Sequence, residues 1–321
     1  MKAIVQHAYG SSDVLKIEEV EQPTVGEEDL LVKVHASCIN AGDVFTMRGS
    51  PWLIRLTLGL RKPKTPHILG WDMAGEVVEV GSRVTKFQAG DKVYGKGEHT
   101  FADFACAEEK YFAPNPSNLT FQQAAAIPTA ALTALQALRD HGRLQSGQTV
   151  LINGASGGVG SFAVQIAKSM GAEVTGVCST AKIEIVRSLG ADHVIDYSKD
   201  DFTRRGDRYD IILDNAASHS FSDLKKVLTP DGIILPNSGH GGMRYVVKGF
   251  ALSPFQRHIS KPWMMQVNNA DLLTLKELIE SGKVAPVIDK TFPLEETPQA
   301  IDYYENGYTR GKIVITTGGQ K

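Results

Sequence analysis

Cysteine is scarce in this chain. Three thiols, Cys38, Cys106 and Cys178, are spread over 321 residues. They form no disulfide framework and no Cys-x-x-Cys metal spacing, which predicts a reducing compartment, the cytoplasm. Long apolar runs are missing as well. None approaches the roughly 20 residues that a membrane helix needs, so no span is expected. Charge of one sign is not in excess: 34 Lys plus Arg stand against 36 Asp plus Glu, a net charge of -2. That balance offers no broad basic field and disfavours nucleic acid as a partner. The opening stretch, MKAIVQHAYG, has neither the apolar core nor the cleavage site of a signal peptide and reads as the first strand of a domain. Internal repeats and low-complexity segments are also lacking.

What is present is globular. The composition is 42% hydrophobic and 22% charged, over a length that suits a large core or two domains. Residues 1–120 carry short Val-, Ile- and Leu-rich runs punctuated by Gly, Pro and Asp, such as DLLVKVHASCIN and MAGEVVEVG. These predict a β-rich, barrel-like sheet. From Phe121 the pattern changes. An Ala- and Leu-rich helix, interrupted at Pro128, leads into strands alternating with helices: QTVLIN, VGSFAVQIAKSM, AEVTGVC, AKIEIVRSL, DHVIDY, YDIILDN, FSDLKKVL and GIILP. Such alternation predicts a parallel sheet with helices on both faces. Residues 240–265 break the rhythm and read as an irregular insertion or lid. Residues 266–321 look like a return to the first domain, with a frayed tail TGGQK. The expected fold is therefore α/β, with a β-rich domain from 1–120 and 266–321 and a doubly wound domain from 121–265.

The stretch VLINGASGGVG, Val150 to Gly160, follows a strand and opens a helix. Gly157 and Gly160 fill the last two positions of a Gly-x-Gly-x-x-Gly pattern, with Ala155 in the first and Gly154 before it. Bare backbone there lets a pyrophosphate approach the free N–H groups of a helix N-terminus. Ala155, Ser156, Gly157, Gly158, Val159 and Gly160 are thus candidate dinucleotide contacts. An NAD-specific site usually places an acid about 20 residues further on. Here Ser179, Thr180 and Lys182 stand in that region. Hydroxyls and an ammonium would accept a 2′-phosphate that a carboxylate would repel, which favours NADPH. The alternative for Lys182 is a solvated helix residue.

The assembled pattern resembles the medium-chain dehydrogenase/reductase superfamily over essentially the whole chain. The stretches that carry the resemblance are LGWDMAGEVVEVGSRVTKFQAGDKVYG, AAAIPTAALTALQAL, VLINGASGGVGSFAVQIAKSMGAEVTGVCST, LGADHVIDY and RGKIVI. Within it, the chain is similar to the zinc-free quinone oxidoreductase branch. The resemblance implies a GroES-like catalytic domain joined to a Rossmann domain, and a homodimer. It also implies cofactor contacts from Thr133 at the nicotinamide, Tyr197 near the adenine-phosphate side, Asn215 at the ribose, and Arg310 and Lys312 toward the 2′-phosphate. A helix Thr, a surface aromatic and solvated charges are the plain structural alternatives.

Zinc-dependent members of the superfamily ligate catalytic zinc with Cys, His and Cys. The resemblance puts Asn40, Trp71 and Thr129 at those positions. None is a usual zinc ligand, and Cys38 lies two residues away. His67 with His99 and an acid is the other arrangement that the fold could assemble. Without a Lewis acid, conjugated acceptors are the easier substrates, because charge arriving on a quinone or enone oxygen is delocalised. The expected partner is therefore a small quinone or enone, with Asn40 as the candidate catalytic donor and Phe45, Trp52 and Trp71 lining the pocket. The stretch LIRLTLGLRKPK reads as a flap. A zinc-independent alcohol or aldehyde reductase, and a non-catalytic NADPH-binding sensor, are the alternative functions.

Overall fold

The computed structural model describes residues 1–63, 67–237, 242–261, 263–307 and 309–318, without the side chains at 242–244 and 250. The chain divides into two compact units: Met1–Thr129 with Val267–Glu280 and Pro286–Lys321, and Ala130–Gln266 with Ser281–Ala285. The division falls within the helix Pro128–Gln136.

The first unit is built on sheet. Its strands are β1 (Lys2–Gln6), β2 (Leu15–Glu19), β3 (Asp29–Cys38), β4 (His67–Ile68), β5 (Asp72–Val80), β6 (Lys92–Lys96), β7 (Phe104–Glu108) and β8 (Phe112–Pro114), with the runs DLLVKVHASCIN and MAGEVVEVG in β3 and β5. Helices α1 (Ala41–Arg48) and α2 (Ile54–Leu58) lie between β3 and β4, and α3 (Phe121–Ala125) and α4 (Pro128–Gln136) follow β8. Pro128 opens α4 because its missing N–H is not needed in the first turn. In β3, Leu30, Val32, Val34 and Ala36 are buried together with Met73, Val77, Val93 and Phe112 of neighbouring strands. The strand β3 is the hub. It pairs with β5 along its length, with β7 at its start, and at its end with β15 (Lys312–Thr316), a strand that returns from the C-terminal part of the chain. The register sets Cys38 opposite both Asp72 and Val314. Three strand ends therefore meet where β3 gives way to α1.

The second unit is a five-stranded parallel sheet. Its strands are β9 (Thr149–Asn153), β10 (Glu173–Cys178), β11 (His193–Asp196), β12 (Tyr209–Asp214) and β13 (Leu228–Pro236), in the order β11-β10-β9-β12-β13. The chain order reverses between β9 and β12, which is where an open α/β sheet offers its ligand crevice. Helices α5 (Gly158–Ser169), α6 (Ile183–Ser188) and α7 (Phe221–Lys226) make the crossovers. In place of a further paired strand, Ile259 forms a single parallel bridge to Ile234.

The expectation of an irregular insertion at 240–265 needs correction. Helix α8 runs from Gly242 to Leu252; residues 240, 241 and 262 lie outside the described residues, as does most of the expected frayed tail. Tyr245 and Leu252 pack against the core of the second unit, Tyr245 stacks on Phe221 at 4.7 Å, and Gly249 lies close to Phe221 and Pro236. Their spacing is helical, but Gly249 in the middle of the apolar stripe hides the period.

Helix α9 (Asn269–Glu280), strand β14 (Ile288–Pro293) and helix α10 (Thr297–Glu305) complete the first unit. The Tyr94 hydroxyl, fully buried, donates to Leu272 O in α9 at 2.6 Å.

Candidate active site

The dinucleotide end of the second unit is formed at the turn after β9. Gly154 turns the chain with φ +81, and Gly157 caps α5 in an extended conformation. The N–H groups of Gly154 and Ala155 both donate to Val177 O, which ties the turn to β10. The first-turn amides Gly158, Val159 and Gly160 have no acceptor within the helix, as at any helix start. A Cβ placed on Gly160 would lie 2.1 Å from Gly154 O, so only glycine lets α5 approach its strand so closely. A Cβ on Gly157 would meet nothing nearer than Gly154 O at 3.5 Å, leaving room beside the amides.

The switch point carries a polar network. Asp214 accepts from Asn153 Nδ2 at 2.8 Å, from Ala217 N at 2.9 Å and from the Tyr245 hydroxyl. Burial pushes the Tyr245 phenol up, and the neighbouring Asp214 carboxylate adds to it, so it stays a donor. Beside them, Asn215 accepts from Asn237 Nδ2 at 2.8 Å, whereas its own buried Nδ2 has no protein partner. A buried donor left over at the end of β12 fits the ribose contact that the sequence reading gave Asn215. Together with the bare amides of α5, it makes a fold end suited to a dinucleotide.

Ser179, Thr180, Lys182 and Tyr197 gather at the ends of β10 and β11, where Tyr197 N donates to Cys178 O at 3.0 Å and Lys182 N to Ser179 O at 2.9 Å. Tyr197 is 62% exposed. The sequence reading missed an acid here. Thr180 donates its hydroxyl to Asp196, which Ser198 also satisfies through its hydroxyl at 2.7 Å and its N–H at 3.0 Å. These hydrogen bonds, Ser198 first, hold the Asp196 carboxyl below its ordinary range. Thr180 therefore turns its hydroxyl hydrogen toward a carboxylate. Thr133 is buried on α4 in the second unit, and Arg310 is exposed after α10 in the first.

In the first unit, the meeting of β3, β5, β15, α1 and α4 holds a chain of buried polar groups. Lys312 Nζ donates to Asn40 Oδ1 at 2.6 Å and to Ile39 O at 3.3 Å. Asn40 Nδ2 donates to Asp72 Oδ2 at 2.9 Å and to Cys38 O at 3.2 Å. Asp72 Oδ1 accepts from Thr129 Oγ1 at 2.6 Å and from Thr129 N at 3.1 Å, which caps the first turn of α4. Asn40 caps α1, its N–H donating to Asp43 Oδ2 at 2.8 Å, and Gly70 N donates to Asp43 Oδ1 at 3.1 Å. Burial pushes the Asp43 carboxyl up to about 7 against those two amide donors; nearby Asp72 also raises it, and Lys312 lowers it.

Two sequence expectations change here. The sequence points to Lys312 as a cofactor contact, yet it is 5% exposed and its ammonium is engaged with Asn40 and Ile39. The sequence points to Asn40 as a donor to substrate oxygen or to the ribose, yet both of its amide hydrogens already have acceptors within the protein. Trp71 lies beside this chain, its ring against Gly42 of α1 and under Lys96 Nζ at 4.7 Å. Phe45 is half-buried on α1. Trp52 is 65% exposed, just before the segment that carries the exposed Leu53, Leu56 and Leu60. That segment is tethered by the Tyr9 hydroxyl to Gly59 O at 2.7 Å and by Arg55 Nε to Gly49 O at 2.9 Å.

The donor set does not suit catalytic zinc. Burial pushes the Cys38 thiol up to about 12, and its Sγ donates to Ile313 O at 3.1 Å, so it is no thiolate. The His67 and His99 rings do come together, at 6.0 Å between centroids. Among the described residues, however, no group of three or more His, Cys, Asp and Glu side chains could hold a metal ion.

Comparison with known proteins identifies the family. Residues 26–137 match the alcohol dehydrogenase GroES-like domain and residues 189–315 the zinc-binding dehydrogenase family. The chain is 35% identical to the chloroplast envelope quinone oxidoreductase homolog of Arabidopsis thaliana, over 98% of each chain. It is 34% identical to the NADPH-dependent alkenal/one oxidoreductase, chloroplastic, of the same plant, over 98% of this chain and 79% of the relative. The quinone oxidoreductase structure from Coxiella burnetii matches 98% of this chain and 99% of its own, with a TM-score of 0.87 and 31% identity. The chain belongs to the medium-chain dehydrogenase/reductase superfamily, in the lineage of its quinone and enone oxidoreductases.

Proposed function

We propose that the chain is an NADPH-dependent reductase that transfers hydride to quinones or α,β-unsaturated carbonyls without zinc. The observation that carries the reading is the Lys312–Asn40–Asp72–Thr129 chain. It occupies two of the three positions where zinc-dependent relatives hold their metal, and it offers amide, hydroxyl and ammonium groups instead of thiolate and imidazole. Bound NADPH supplies hydride. The amides of Gly158 to Gly160 and the free Asn215 Nδ2 would hold its pyrophosphate and ribose. Ser179 and Lys182 would meet the 2′-phosphate. A quinone or enone suits such a site because the arriving charge spreads over a conjugated system, and moderate hydrogen bonding then suffices. Names of relatives support the substrate class: one is an alkenal/one oxidoreductase and another a 2-methylene-furan-3-one reductase.

The same proposal places the enzyme in the cytoplasm as a homodimer. Cys38 and Cys178 are buried free thiols, and among the described residues no helix is long and apolar enough to cross a membrane. Relatives are named chloroplastic or mitochondrial, so fractionation of the native cell is the check on compartment.

NADPH oxidation measured against naphthoquinones, alkenals and simple ketones, each with and without a chelator, tests the reading. Turnover of the conjugated acceptors, insensitive to chelator, is expected. Chelator-sensitive turnover, or reduction of simple ketones alone, overturns it. Cofactor choice has its own test. Lys182→Ala is expected to lower the preference for NADPH over NADH about tenfold, the order of one lost charge-assisted hydrogen bond. Unchanged discrimination in kcat/KM would remove Lys182 from the phosphate site.

A further inference from the structure

We infer that Lys312 is a positioning residue of the reductase site, setting the orientation of Asn40 and, through Asp72, the first turn of α4. The inference rests on the reductase reading for its kinetic arm only.

An ammonium has three hydrogens and no acceptor, so whatever faces it must accept. Lys312 Nζ lies 2.6 Å from one end of the Asn40 amide, so that end must be the carbonyl oxygen. The amide nitrogen is then forced to the other side, where Cys38 O and Asp72 Oδ2 both accept. Without the ammonium the Asn40 oxygen would lose its donor, and a half-turn of the amide would set that oxygen against a carboxylate, so neither rotamer would be satisfied. Lys312, reaching Asn40 across 272 residues, thus completes the one rotamer that Cys38 O and Asp72 favour.

The effect is transmitted further. Lys312, Asn40 and Asp72 form a cation–amide–carboxylate line in which the amide dipole is favourably aligned at both ends. All three are buried, at 5%, 7% and 0% exposed. No direct Lys312–Asp72 ion pair is seen, so the amide relays the charge between them. Asp72 in turn accepts from the Thr129 hydroxyl and N–H at the start of α4. One lysine on β15 thereby fixes the end of β3, the start of β5 and the first turn of α4. These are the segments on which the zinc-dependent relatives place their ligands. Here a lysine and hydrogen bonds tie them together.

The neighbouring charges are accounted for. Asp43 has its own amide donors, Asn40 N and Gly70 N. Cys38 is held as a thiol by burial, and Tyr304, also pushed up by burial to about 12, faces Asp43 as a neutral phenol. Lys312 is the cation that contacts Asn40.

The test compares Lys312→Met, Asn40→Ala and the double variant with the parent protein. Three quantities are read: NADPH affinity by titration, kcat and KM with the best acceptor of the screen, and hydrogen exchange at the Thr129 amide. Lys312→Met is expected to speed Thr129 exchange at least tenfold and to lower kcat at least tenfold. NADPH affinity and acceptor KM should stay within about threefold. The double variant should be no worse in kcat than the poorer single, because the two residues act as one unit. Additive losses in kcat, or unchanged Thr129 exchange in Lys312→Met, would overturn the inference. If that variant does not fold, Asn40→Ala alone decides by exchange: Thr129 protection must fall, and retained protection refutes the relay. If no acceptor is reduced by any form, the reductase reading fails, while the exchange measurement still judges Lys312.

Discussion

Asp72→Ala is expected to lower the stability of the chain by about 3 kcal/mol and to abolish turnover. Asp72 is fully buried and accepts from Asn40 Nδ2, Thr129 Oγ1 and Thr129 N. Truncation removes the acceptor shared by a buried Asn40 donor and two part-buried Thr129 donors, and a buried donor that loses its acceptor costs roughly 1–3 kcal/mol. It also leaves the Lys312 ammonium buried with no carboxylate at the far end of its amide relay, the situation in which breaking a buried charge network is strongly destabilising. Part of the loss is recovered, because water can enter the space left by the carboxylate and re-pair some donors. Asp72→Asn keeps the volume and one acceptor but turns an N–H toward a donor, so its loss should be about half as large. Urea unfolding of both variants, with the midpoint and slope read separately, measures this. A drop below about 1 kcal/mol for the alanine variant would mean that the chain of hydrogen bonds contributes little to holding β3, β5 and α4 together.

That chain was the part of the site least legible in the sequence, and the reason is physical. The glycine turn after β9 is a local feature: strand, turn and helix follow one another within Thr149–Ser169, and the periodicity of each element shows in its own residues. The parallel sheet with helical crossovers followed from alternation alone, whereas the order in which β9 to β13 lie is seen only in the structure. Lys312 and Asn40 are different. They are brought together by the pairing of β15 with β3, a non-local contact that no window of sequence contains. A lysine at the head of a strand reads as solvated, and only the burial of its ammonium on Asn40 Oδ1 reveals otherwise. Asp196 was missed for a related reason. The acid that binds Thr180 arrives on the next strand, β11, rather than at the expected distance along β10. A useful sign was nevertheless present. Asn40, Asp43 and Asp72 are polar residues flanking runs that otherwise read as core, and buried polar side chains need partners that must come from elsewhere in the chain.

Gly157 and Gly160 separate the two uses of glycine in the turn, and their alanine variants are expected to fail in opposite ways. Gly160→Ala would set a methyl 2.1 Å from Gly154 O and 2.8 Å from Ala155 Cα, both backbone atoms that no rotamer change can move aside. Helix α5 must shift from β9, where Phe162, Ala163 and Ile166 are fully buried. Overpacking of this kind costs typically 1–3 kcal/mol, and the better helix propensity of alanine offsets at most about 1. A net loss of about 2 kcal/mol in unfolding free energy is expected, with weaker NADPH binding as its consequence. At Gly157 the same methyl meets only Gly154 O at 3.5 Å, an ordinary contact. Gly157→Ala should therefore fold with stability within about 0.5 kcal/mol of the parent, the range of changes that create no cavity or clash. Its NADPH affinity should nevertheless fall at least tenfold, because the methyl stands where phosphate oxygens would approach the first-turn amides. Thermal unfolding and NADPH titration on the two variants give four numbers. If Gly157→Ala bound NADPH as the parent does, the space beside Gly157 would not be where the pyrophosphate rests, and the turn would owe its glycines to packing alone.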